Sequence, residues 1–348
     1  MKKVFINGVS GQDGAYLARL LLNLNYEVYG GVRSIDEGNY SKLRALGVQG
    51  DVRMVECGLQ NTKVIESAIE MVGPDEIYNF SAQSSVAQSW LDPISTYDVN
   101  ATGVIRILEV IRKRLPGCKF FQASSSEMFG NVDCLAQDEL TPLNPLNPYG
   151  VSKLAAFHSV RSYRNAFGLF AANGILFNHE SPLRPDHYVS RKITRSIAKI
   201  KLGELDILRV GNLDIKRDWG FACDYVEGMH KLMQNDHADD VVFATGKTHS
   251  IREFIQLVAE EVGYSLTWRG NGVHEVGVDS DGKVLVEVDE RFYRATDMME
   301  TKGDPTKAFE LLGWAPKMSF QELAKLMVSH DLEALKNNGG VSFENRAN

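Results

Sequence analysis

The sequence predicts an α/β protein with a doubly wound parallel sheet and a smaller, mostly helical second lobe. Two features carry this prediction. In the first half of the chain, short apolar runs of strand length alternate with longer stretches of helical periodicity. A glycine-rich turn also joins the first of these strands to the first helix. Such alternation favours parallel strands that are connected by right-handed crossovers, with helices on both faces of the sheet.

The order of elements also predicts where the two lobes divide. The expected strands are KKVFING, EVYGGVR, VRMVECG, EIYNFSA, CKFFQAS and LFAANGILF, separated by helices such as GAYLARLLLNLNY and NATGVIRILEVIRKRL. After about residue 176 the pattern changes to a loop and a basic helix, then to helices over DWGFACDYVEGMHKLMQN, SIREFIQLVAEEVG and SFQELAKLMVSHDLEALKNN. We therefore expect one domain over residues 1–175 plus about 213–247, and a second over about 176–212 plus 248–348.

The composition is that of an ordinary folded protein, since 44% of its 348 residues are hydrophobic and 24% are charged. A net charge of −7 argues against general nucleic-acid binding, which draws on clustered Lys and Arg. We find no signal peptide and no apolar run of about 18 residues, so we expect a cytoplasmic protein with no membrane partner. The cysteines form no CxxC pair, and we expect reduced structural thiols and no metal site at Cys57, Cys118, Cys134 and Cys223.

The glycine-rich turn INGVSGQDGAYL places Gly8, Gly11 and Gly14 between a strand and a helix. Such a turn lets the backbone approach a pyrophosphate, and the helix N-terminus offers free N–H groups. This context favours a Rossmann-type dinucleotide site over a purely structural turn. Arg33 stands at the end of the second strand, where a site for NAD usually has Asp or Glu. An arginine suits the 2′-phosphate of NADP, although a surface Arg is the alternative.

Tyr149 and Lys153 form a Tyr-x-x-x-Lys pattern on a helix that is expected to begin after NPLNP. This spacing places both side chains on one helix face, where the lysine can stabilise a phenolate and lower the pKa of the phenol. Such a pair can act as the base that oxidises a carbinol. Upstream, SSSEMFG ends a predicted strand with hydroxyl groups followed by Glu127. These groups either join the same site or cap the strand end, with Glu127 in solvent.

Together with YNFSAQSSV, ILFNHESPLR, GNLDIKRDWGFACDYV and DPTKAFELLGW, these motifs identify a resemblance. The chain resembles the extended short-chain dehydrogenases/reductases and, within them, the GDP-mannose 4,6-dehydratase family. The resemblance implies an NADP-binding Rossmann domain, a GDP-sugar-binding domain, GDP-mannose as substrate and a homodimer or homotetramer. It also implies that the catalytic residues are Ser125, where the family usually has Thr, with Glu127, Tyr149 and Lys153.

The same resemblance implies a three-step mechanism. Tyr149 takes the proton of the sugar 4-hydroxyl, to which Ser125 hydrogen-bonds, while hydride passes from carbon 4 to the nicotinamide. Glu127 then removes the proton at carbon 5, and water leaves carbon 6 with acid help from Glu127 or a tyrosine. Hydride returns to carbon 6, so the cofactor is regenerated and the overall reaction is that of a lyase.

Two sets of binding residues are carried over by position. The cofactor set comprises Gly8, Gly11, Gln12, Asp13, Gly14, Arg33, Leu59, Ser81, Gln83, Tyr149, Lys153, His179 and Arg184. The substrate set comprises Ser85, Asn178, Val189, Lys192, Arg217 and Arg294. An acidic protein needs such local cations to bind a nucleoside diphosphate.

Besides Ser125, five positions depart from the family pattern. Ser34 replaces a usual second Arg near the 2′-phosphate, and Gly58 replaces an Asp that contacts adenine, which leaves NADP selectivity and the tetramer contacts open. Three further differences lie where side chains could contact the sugar and select among substrates, at Ser85, Ala295 and Asp297. A related GDP-sugar such as a GDP-heptose, or added reduction of the 4-keto product, therefore remains an alternative. A nucleotide-sensing protein on the same fold is the non-enzyme alternative, and the complete catalytic set disfavours it.

Overall fold

The computed structural model describes residues 1–132, 134–292 and 298–337. Its centre is a sheet of seven parallel strands: β1 (Lys3–Asn7), β2 (Glu27–Val32), β3 (Arg53–Glu56), β4 (Glu76–Asn79), β5 (Lys119–Ser125), β6 (Ala171–Leu176) and β11 (Asp240–Phe243). The strand order is β11-β6-β5-β4-β1-β2-β3. The chain therefore winds outward in both directions from the β1–β4 pair, which opens a crevice at the carboxyl ends of these strands.

Helices cover both faces of this sheet, as the sequence predicts. They are α1 (Gln12–Asn23), α2 (Ser41–Ala45), α3 (Thr62–Val72), α6 (Gly103–Arg114), α7 (Pro148–Phe167), α9 (Ala222–Gln234) and α11 (Thr306–Leu312), while the short helices α4 (Val86–Leu91) and α5 (Pro93–Tyr97) pack against α7. Because successive strand residues point to opposite faces, Val4 and Ile6 pack in the core that includes α1 and α9. Phe5 packs in a separate core with α3, α6 and α7. These two buried layers confirm the predicted fold class.

A third core lies around α8 (Val189–Leu202), α10 (Ile251–Glu261) and α12 (Phe320–Lys336). A four-stranded sheet packs with these helices and runs β13-β14-β15-β8, with β8 at Leu208–Val210, β13 at Thr267–Arg269, β14 at Val276–Val278 and β15 at Val284–Val288. This core also contains Leu213 and Ile215, which lie just after residue 212, where the sequence predicts that the chain returns to the first domain. The division into domains at the boundaries given above stays a prediction.

Two short segments differ from the sequence-based expectation. Residues predicted as loop and as helix instead form the parallel strands β7 (Asn178–Glu180) and β10 (Trp219–Phe221), and α9 begins only at Ala222. Burial explains this difference, because Trp219 is 3% exposed and stacks on Phe320. The strands β9 (Lys216–Arg217), β12 (His249–Ser250) and β16 (Glu300–Thr301) form a further small sheet beside them.

Two absences hold for the residues that the structure describes. No helix there combines the length and the apolar character that crossing a bilayer requires. Within the same ranges, His, Cys, Asp and Glu side chains form no group of three or more that could hold a metal ion.

Candidate active site

The turn after β1 is shaped for close approach by a ligand. Gly8 has a φ of +85°, which favours glycine, and a Cβ on it would lie 2.8 Å from the backbone nitrogen of Ser81. A Cβ on Gly14 would lie 2.5 Å from the Gly8 carbonyl oxygen. The N-cap of α1 is Gly11, which has no side chain to occupy the first N–H groups of the helix. These groups can therefore bind an anion.

A cavity of about 280 Å³ opens at this turn, beside the carboxyl ends of β1, β5 and β6. It brings together most of the residues that the sequence singles out. Those that line it are Gly8, Gly11, Gln12, Asp13, Gly14, Ser125, Glu127, Tyr149, Lys153, Asn178, His179 and Arg184. The site is therefore assembled from residues more than 170 positions apart in the chain.

The other predicted cofactor residues lie around this cavity. Ser81 and Gln83 are half-buried in the loop that follows β4, and Ser81 contacts the glycine turn. Leu59 is buried in the core beyond β3. Arg33 is exposed directly after β2.

Ser125 and Glu127 stand where β5 ends in a single 3₁₀ turn. Ser125 caps this turn, and its Oγ accepts a hydrogen bond of 3.2 Å from the Glu127 backbone N–H. The Glu127 carboxylate accepts a hydrogen bond of 3.0 Å from Nδ2 of Asn147. The Oδ1 atom of Asn147 accepts in turn from the Gly150 N–H at 2.8 Å, which caps α7. One buried amide thus joins the carboxylate to the helix that carries Tyr149.

Tyr149 and Lys153 share one face of α7, as predicted. The Lys153 ammonium lies 5.8 Å from the centroid of the Tyr149 ring and donates a hydrogen bond of 2.9 Å to the Ala123 carbonyl. Burial lowers the pKa of Lys153 to about 8. The expected lowering of the Tyr149 pKa is not found. Burial raises this pKa above its ordinary value, and the hydrogen bond with Ser125 opposes the rise only in part.

Asp13 and His179 form a buried ion pair beside the glycine turn. His179 Nε2 lies 3.0 Å from Asp13 Oδ2, and Nδ1 lies 2.7 Å from the Phe177 carbonyl oxygen. Because both neighbours of the ring accept hydrogen bonds, both ring nitrogens carry protons. Desolvation opposes the charge of each group, but their mutual attraction outweighs it, so the pKa of His179 is raised and the pKa of Asp13 is lowered.

Arg184 and Tyr188 close one wall of the cavity. The Arg184 guanidinium lies 3.8 Å from the centroid of the Tyr188 ring, and its Nε lies 3.1 Å from a carboxylate oxygen of Glu180. The Tyr188 hydroxyl is 2.8 Å from Oγ of Ser84, which also lines the cavity. A guanidinium held in this way can face an anionic or polar ligand.

The remaining predicted substrate residues lie beyond this cavity. Ser85 caps α4 by accepting from the Gln88 N–H, and Val189 is exposed at the start of α8. The Lys192 ammonium lies 3.4 Å from the centroid of the Phe292 ring. Arg217 donates to the carbonyl oxygens of Lys216 and Met298, at 2.8 and 2.7 Å. Three further predicted positions, Arg294, Ala295 and Asp297, lie outside the described residues.

Sequence reasoning missed three side chains of the cavity region, Asn147, Tyr188 and Lys42. Asn147 did carry a signal, because Asn directly before a Pro-initiated helix is a preferred N-cap. Its contact with Glu127 links positions 20 residues apart and has no local signal. Tyr188 and Lys42 reach the cavity only through the tertiary fold.

Two solved structures with a similar fold hold a nicotinamide dinucleotide. The dTDP-glucose 4,6-dehydratase of Streptomyces venezuelae, with NAD and TYD bound, has a TM-score of 0.80 at 20% identity, over 97% of this chain and 98% of that chain. RMD of Pseudomonas aeruginosa, in complex with NADPH, has a TM-score of 0.74 at 20% identity, over 96% and 100%. The strand order and the glycine turn define a Rossmann-type α/β protein.

The sequence comparisons specify the family within this class. A family model described as GDP-mannose 4,6 dehydratase matches residues 5–327. The human GDP-mannose 4,6 dehydratase is 43% identical over 342 residues, which cover 96% of this chain and 92% of the human protein. The chain belongs to the GDP-mannose 4,6 dehydratase family.

Proposed function

We propose that this protein dehydrates GDP-mannose to GDP-4-dehydro-6-deoxy-mannose and uses bound NADP as a recycled hydride carrier. One observation carries the proposal. Ser125, Glu127, Tyr149 and Lys153 line the same cavity as the glycine turn. An acid–base pair and a separate carboxylate are the groups that an oxidation followed by an elimination requires. The name of the human relative supports GDP-mannose as the substrate.

The residues around the glycine turn fit a nicotinamide dinucleotide. The unoccupied N–H groups at the start of α1 suit the pyrophosphate. Gly8 and Gly14 have no side chains, so the backbone of the turn can approach the dinucleotide closely. When bound, such a dinucleotide would supply a hydride acceptor for carbon 4 of the sugar and a hydride donor for carbon 6. His179 and Arg184 would hold the nicotinamide half, while Leu59, Ser81 and Gln83 would hold the rest together with Gln12, Asp13 and Arg33.

Tyr149 is proposed as the base for the sugar 4-hydroxyl. Its phenol is desolvated and hydrogen-bonded to Ser125. Ser125 can therefore also hydrogen-bond to the sugar 4-hydroxyl, from which Tyr149 takes the proton. The high pKa of Tyr149 must fall for proton transfer at neutral pH. The ammonium of Lys153, 5.8 Å from the ring centroid, supplies a positive charge that stabilises the phenolate.

Glu127 is proposed to remove the proton at carbon 5 and to assist the loss of water from carbon 6. Its carboxylate lines the cavity, and the Asn147 amide fixes one of its oxygens. A carboxylate that is held in this way presents its other oxygen in a defined direction. This positioning matters because proton abstraction requires hydrogen-bond reach to the carbon.

The GDP moiety is proposed to bind beyond the cavity mouth. Lys192 and Arg217 would supply positive charge for the diphosphate in a chain whose net charge is −7. Asn178 and Ser85 would contact the sugar, and Val189 and Arg294 would contact the nucleotide. The KM for GDP-mannose of a Lys192→Met variant would test this assignment.

We also propose a homo-oligomer in the cytoplasm. The helices α4 and α5 expose Trp90, Leu91, Ile94 and Tyr97, with 56%, 79%, 82% and 45% of their surfaces accessible. Such a patch on consecutive helices suits a second copy of the chain, a homodimer or homotetramer. The free cysteines suit a reducing compartment. Sedimentation should show an oligomer that the Trp90→Glu variant dissociates, and a monomeric wild type would contradict the proposal.

The central test is product analysis. The purified protein is incubated with GDP-mannose and a trace of NADP in deuterated water, and the product is followed by mass spectrometry and NMR. The proposal predicts loss of water, a 4-keto-6-deoxy sugar and deuterium at carbon 5. Bound NADP without turnover of GDP-mannose, but with turnover of another GDP-sugar, would transfer the activity to that substrate. No turnover of any GDP-sugar would contradict the enzymatic proposal.

A further inference from the structure

Glu180 is a buried carboxylate that lies behind the wall of the cavity. It ends the short strand β7 and is 2% exposed. The preceding residue, His179, lines the cavity, whereas Glu180 is absent from the lining. The cofactor and substrate sets that follow from the resemblance give Glu180 no role. A buried charge needs a partner, so the groups that contact this carboxylate indicate what it does.

Two groups meet at the same carboxylate oxygen of Glu180. Ser190, which is 1% exposed in the first turn of α8, donates a hydrogen bond of 2.5 Å from Oγ to Oε2. The Nε atom of Arg184 lies 3.1 Å from this oxygen. Among the described residues, Nε has no hydrogen-bond partner of good geometry, so charge attraction is what joins Arg184 to Glu180. The start of α8 thus anchors the carboxylate, and the carboxylate attracts the guanidinium.

Arg184 itself lines the cavity, and it is a long side chain that many rotamers could place elsewhere. The Tyr188 ring packs against its guanidinium on one side, at 3.8 Å from the ring centroid. Burial opposes the charge of Arg184, but the attraction of Glu180 and other neighbours outweighs this effect, so the pKa of Arg184 is raised. The guanidinium is therefore held charged and in one place before a ligand arrives.

Stability alone is a poor explanation for this arrangement. Removing two charges from water costs about as much free energy as their attraction returns, so a buried ion pair adds little net stability. A pair that is buried behind a ligand-facing guanidinium can instead fix the direction of that guanidinium. Residues of this kind support those that touch the ligand, and the precision of a site depends on them.

We propose that Glu180 is a positioning residue that holds the Arg184 guanidinium in the cavity wall, where Arg184 binds the nicotinamide half of the dinucleotide. The proposal rests on the proposed function insofar as it places a nicotinamide dinucleotide in this cavity. Glu180 contacts no ligand in this account and takes no part in proton transfer. Its effect on binding therefore passes entirely through Arg184.

The test is a double-mutant cycle on binding, and it needs no turnover. NADPH is titrated into the full-length protein, and the fluorescence of the reduced nicotinamide reports the Kd. The variants are Glu180→Gln, Arg184→Gln and the double variant. Each single substitution should weaken NADPH binding by about tenfold, because the guanidinium is misplaced in one and absent in the other. The double variant should bind no more weakly than Arg184→Gln, because Glu180 then has nothing left to position.

Asp240→Asn is the matched control. Asp240 is also a buried carboxylate, and it pairs with Arg164 at 2.8 Å. It lies at the start of β11, whereas the cavity lies at the carboxyl ends of the strands, and neither partner lines the cavity. Asp240→Asn should lower the midpoint of thermal unfolding and leave the Kd for NADPH unchanged. A general loss of stability would therefore be distinguished from a loss of positioning.

Equal weakening by Glu180→Gln in the presence and absence of Arg184 would overturn the proposal, because the effect would then not pass through Arg184. Unchanged NADPH binding in Glu180→Gln would overturn it as well. If Glu180→Gln fails to fold, Ser190→Ala removes the anchor of the carboxylate and should weaken NADPH binding only while Arg184 is present. The expected cycle in a wild type that turns over no GDP-sugar would support Glu180 while contradicting the proposed function. A wild type that binds no NADPH would contradict both.

Discussion

Asn147 offers a sharp test of the site geometry, because one side chain makes two separable hydrogen bonds. Its Nδ2 donates to Glu127 at 3.0 Å, while its Oδ1 accepts from the Gly150 N–H at 2.8 Å. Asn147→Ser removes the donor to Glu127 and keeps a hydroxyl that can cap α7. Asn147→Ala removes both bonds. A hydrogen bond to a charged group contributes about 1.5–3 kcal/mol, so both variants should slow proton exchange at carbon 5 by about tenfold or more.

The two variants should differ in stability. Loss of the cap in Asn147→Ala should lower the free energy of unfolding by about 1 kcal/mol, whereas Asn147→Ser should lie close to the wild type. The assays are urea unfolding and the rate of deuterium incorporation at carbon 5 of the product. If Asn147→Ser exchanged this proton at the wild-type rate, the amide would not position Glu127. If the rate fell only in Asn147→Ala, the effect would belong to the helix cap.

Three further predictions concern Glu127, the ion pair of Asp13 with His179, and the glycine turn. Glu127→Gln should reduce deuterium incorporation at carbon 5 by about 10²–10⁴-fold while NADPH binding, followed by fluorescence, is unchanged; unaltered incorporation would exclude Glu127 as the base. The pKa of His179 is raised, so its charge stabilises the fold below the ordinary pKa of 6.5, and this stabilisation is lost as pH rises. The pKa of Asp13 is lowered, so its charge stabilises the fold above the ordinary pKa of 3.8, and this stabilisation is lost as pH falls. Asp13→Asn should therefore reduce the free energy of unfolding most between these values, and a urea-derived difference that is constant up to about pH 9 would contradict the pairing. Gly14→Ala places a Cβ 2.5 Å from a backbone oxygen, so it should weaken NADPH binding about tenfold or more, whereas Gly117→Ala meets nothing within 4 Å and should bind normally; equal affinities would refute the close-packing argument.

The sequence predicted the parts of the site that have a local signature. The glycine turn follows from its position between a strand and a helix, and Tyr149 and Lys153 share a face because four residues make about one helical turn. The parallel sheet follows from alternation along the chain. Each of these predictions depends only on residues that are close together in the sequence, so one sequence is enough to make it.

Long-range pairings were beyond such reasoning. Asp218 of the RDWG motif is buried, and its carboxylate accepts hydrogen bonds from the backbone N–H groups of Thr245, Gly246 and Gly303. It therefore joins three distant segments and lies outside the catalytic cavity lining. The strands β7 and β10 were missed for the same reason, since each has only three residues and exists through pairing with the other.

The pKa of Tyr149 shows a different limit. The spacing to Lys153 correctly predicted their proximity, but it carries no information about desolvation. Burial of the phenol raises its pKa, and this effect exceeds that of the hydrogen bond with Ser125. The sign of a pKa shift depends on how the whole fold excludes water from a group, which a motif cannot specify.

We propose that hydride leaves carbon 4 of the sugar and returns to carbon 6 within one bound complex. The most direct measurement uses GDP-mannose that carries deuterium at carbon 4, incubated with the protein and a trace of NADP in ordinary water. We expect a 4-keto-6-deoxy product with the deuterium at carbon 6. Deuterium that appeared on released NADPH, or a product from which the label was lost to solvent, would contradict it.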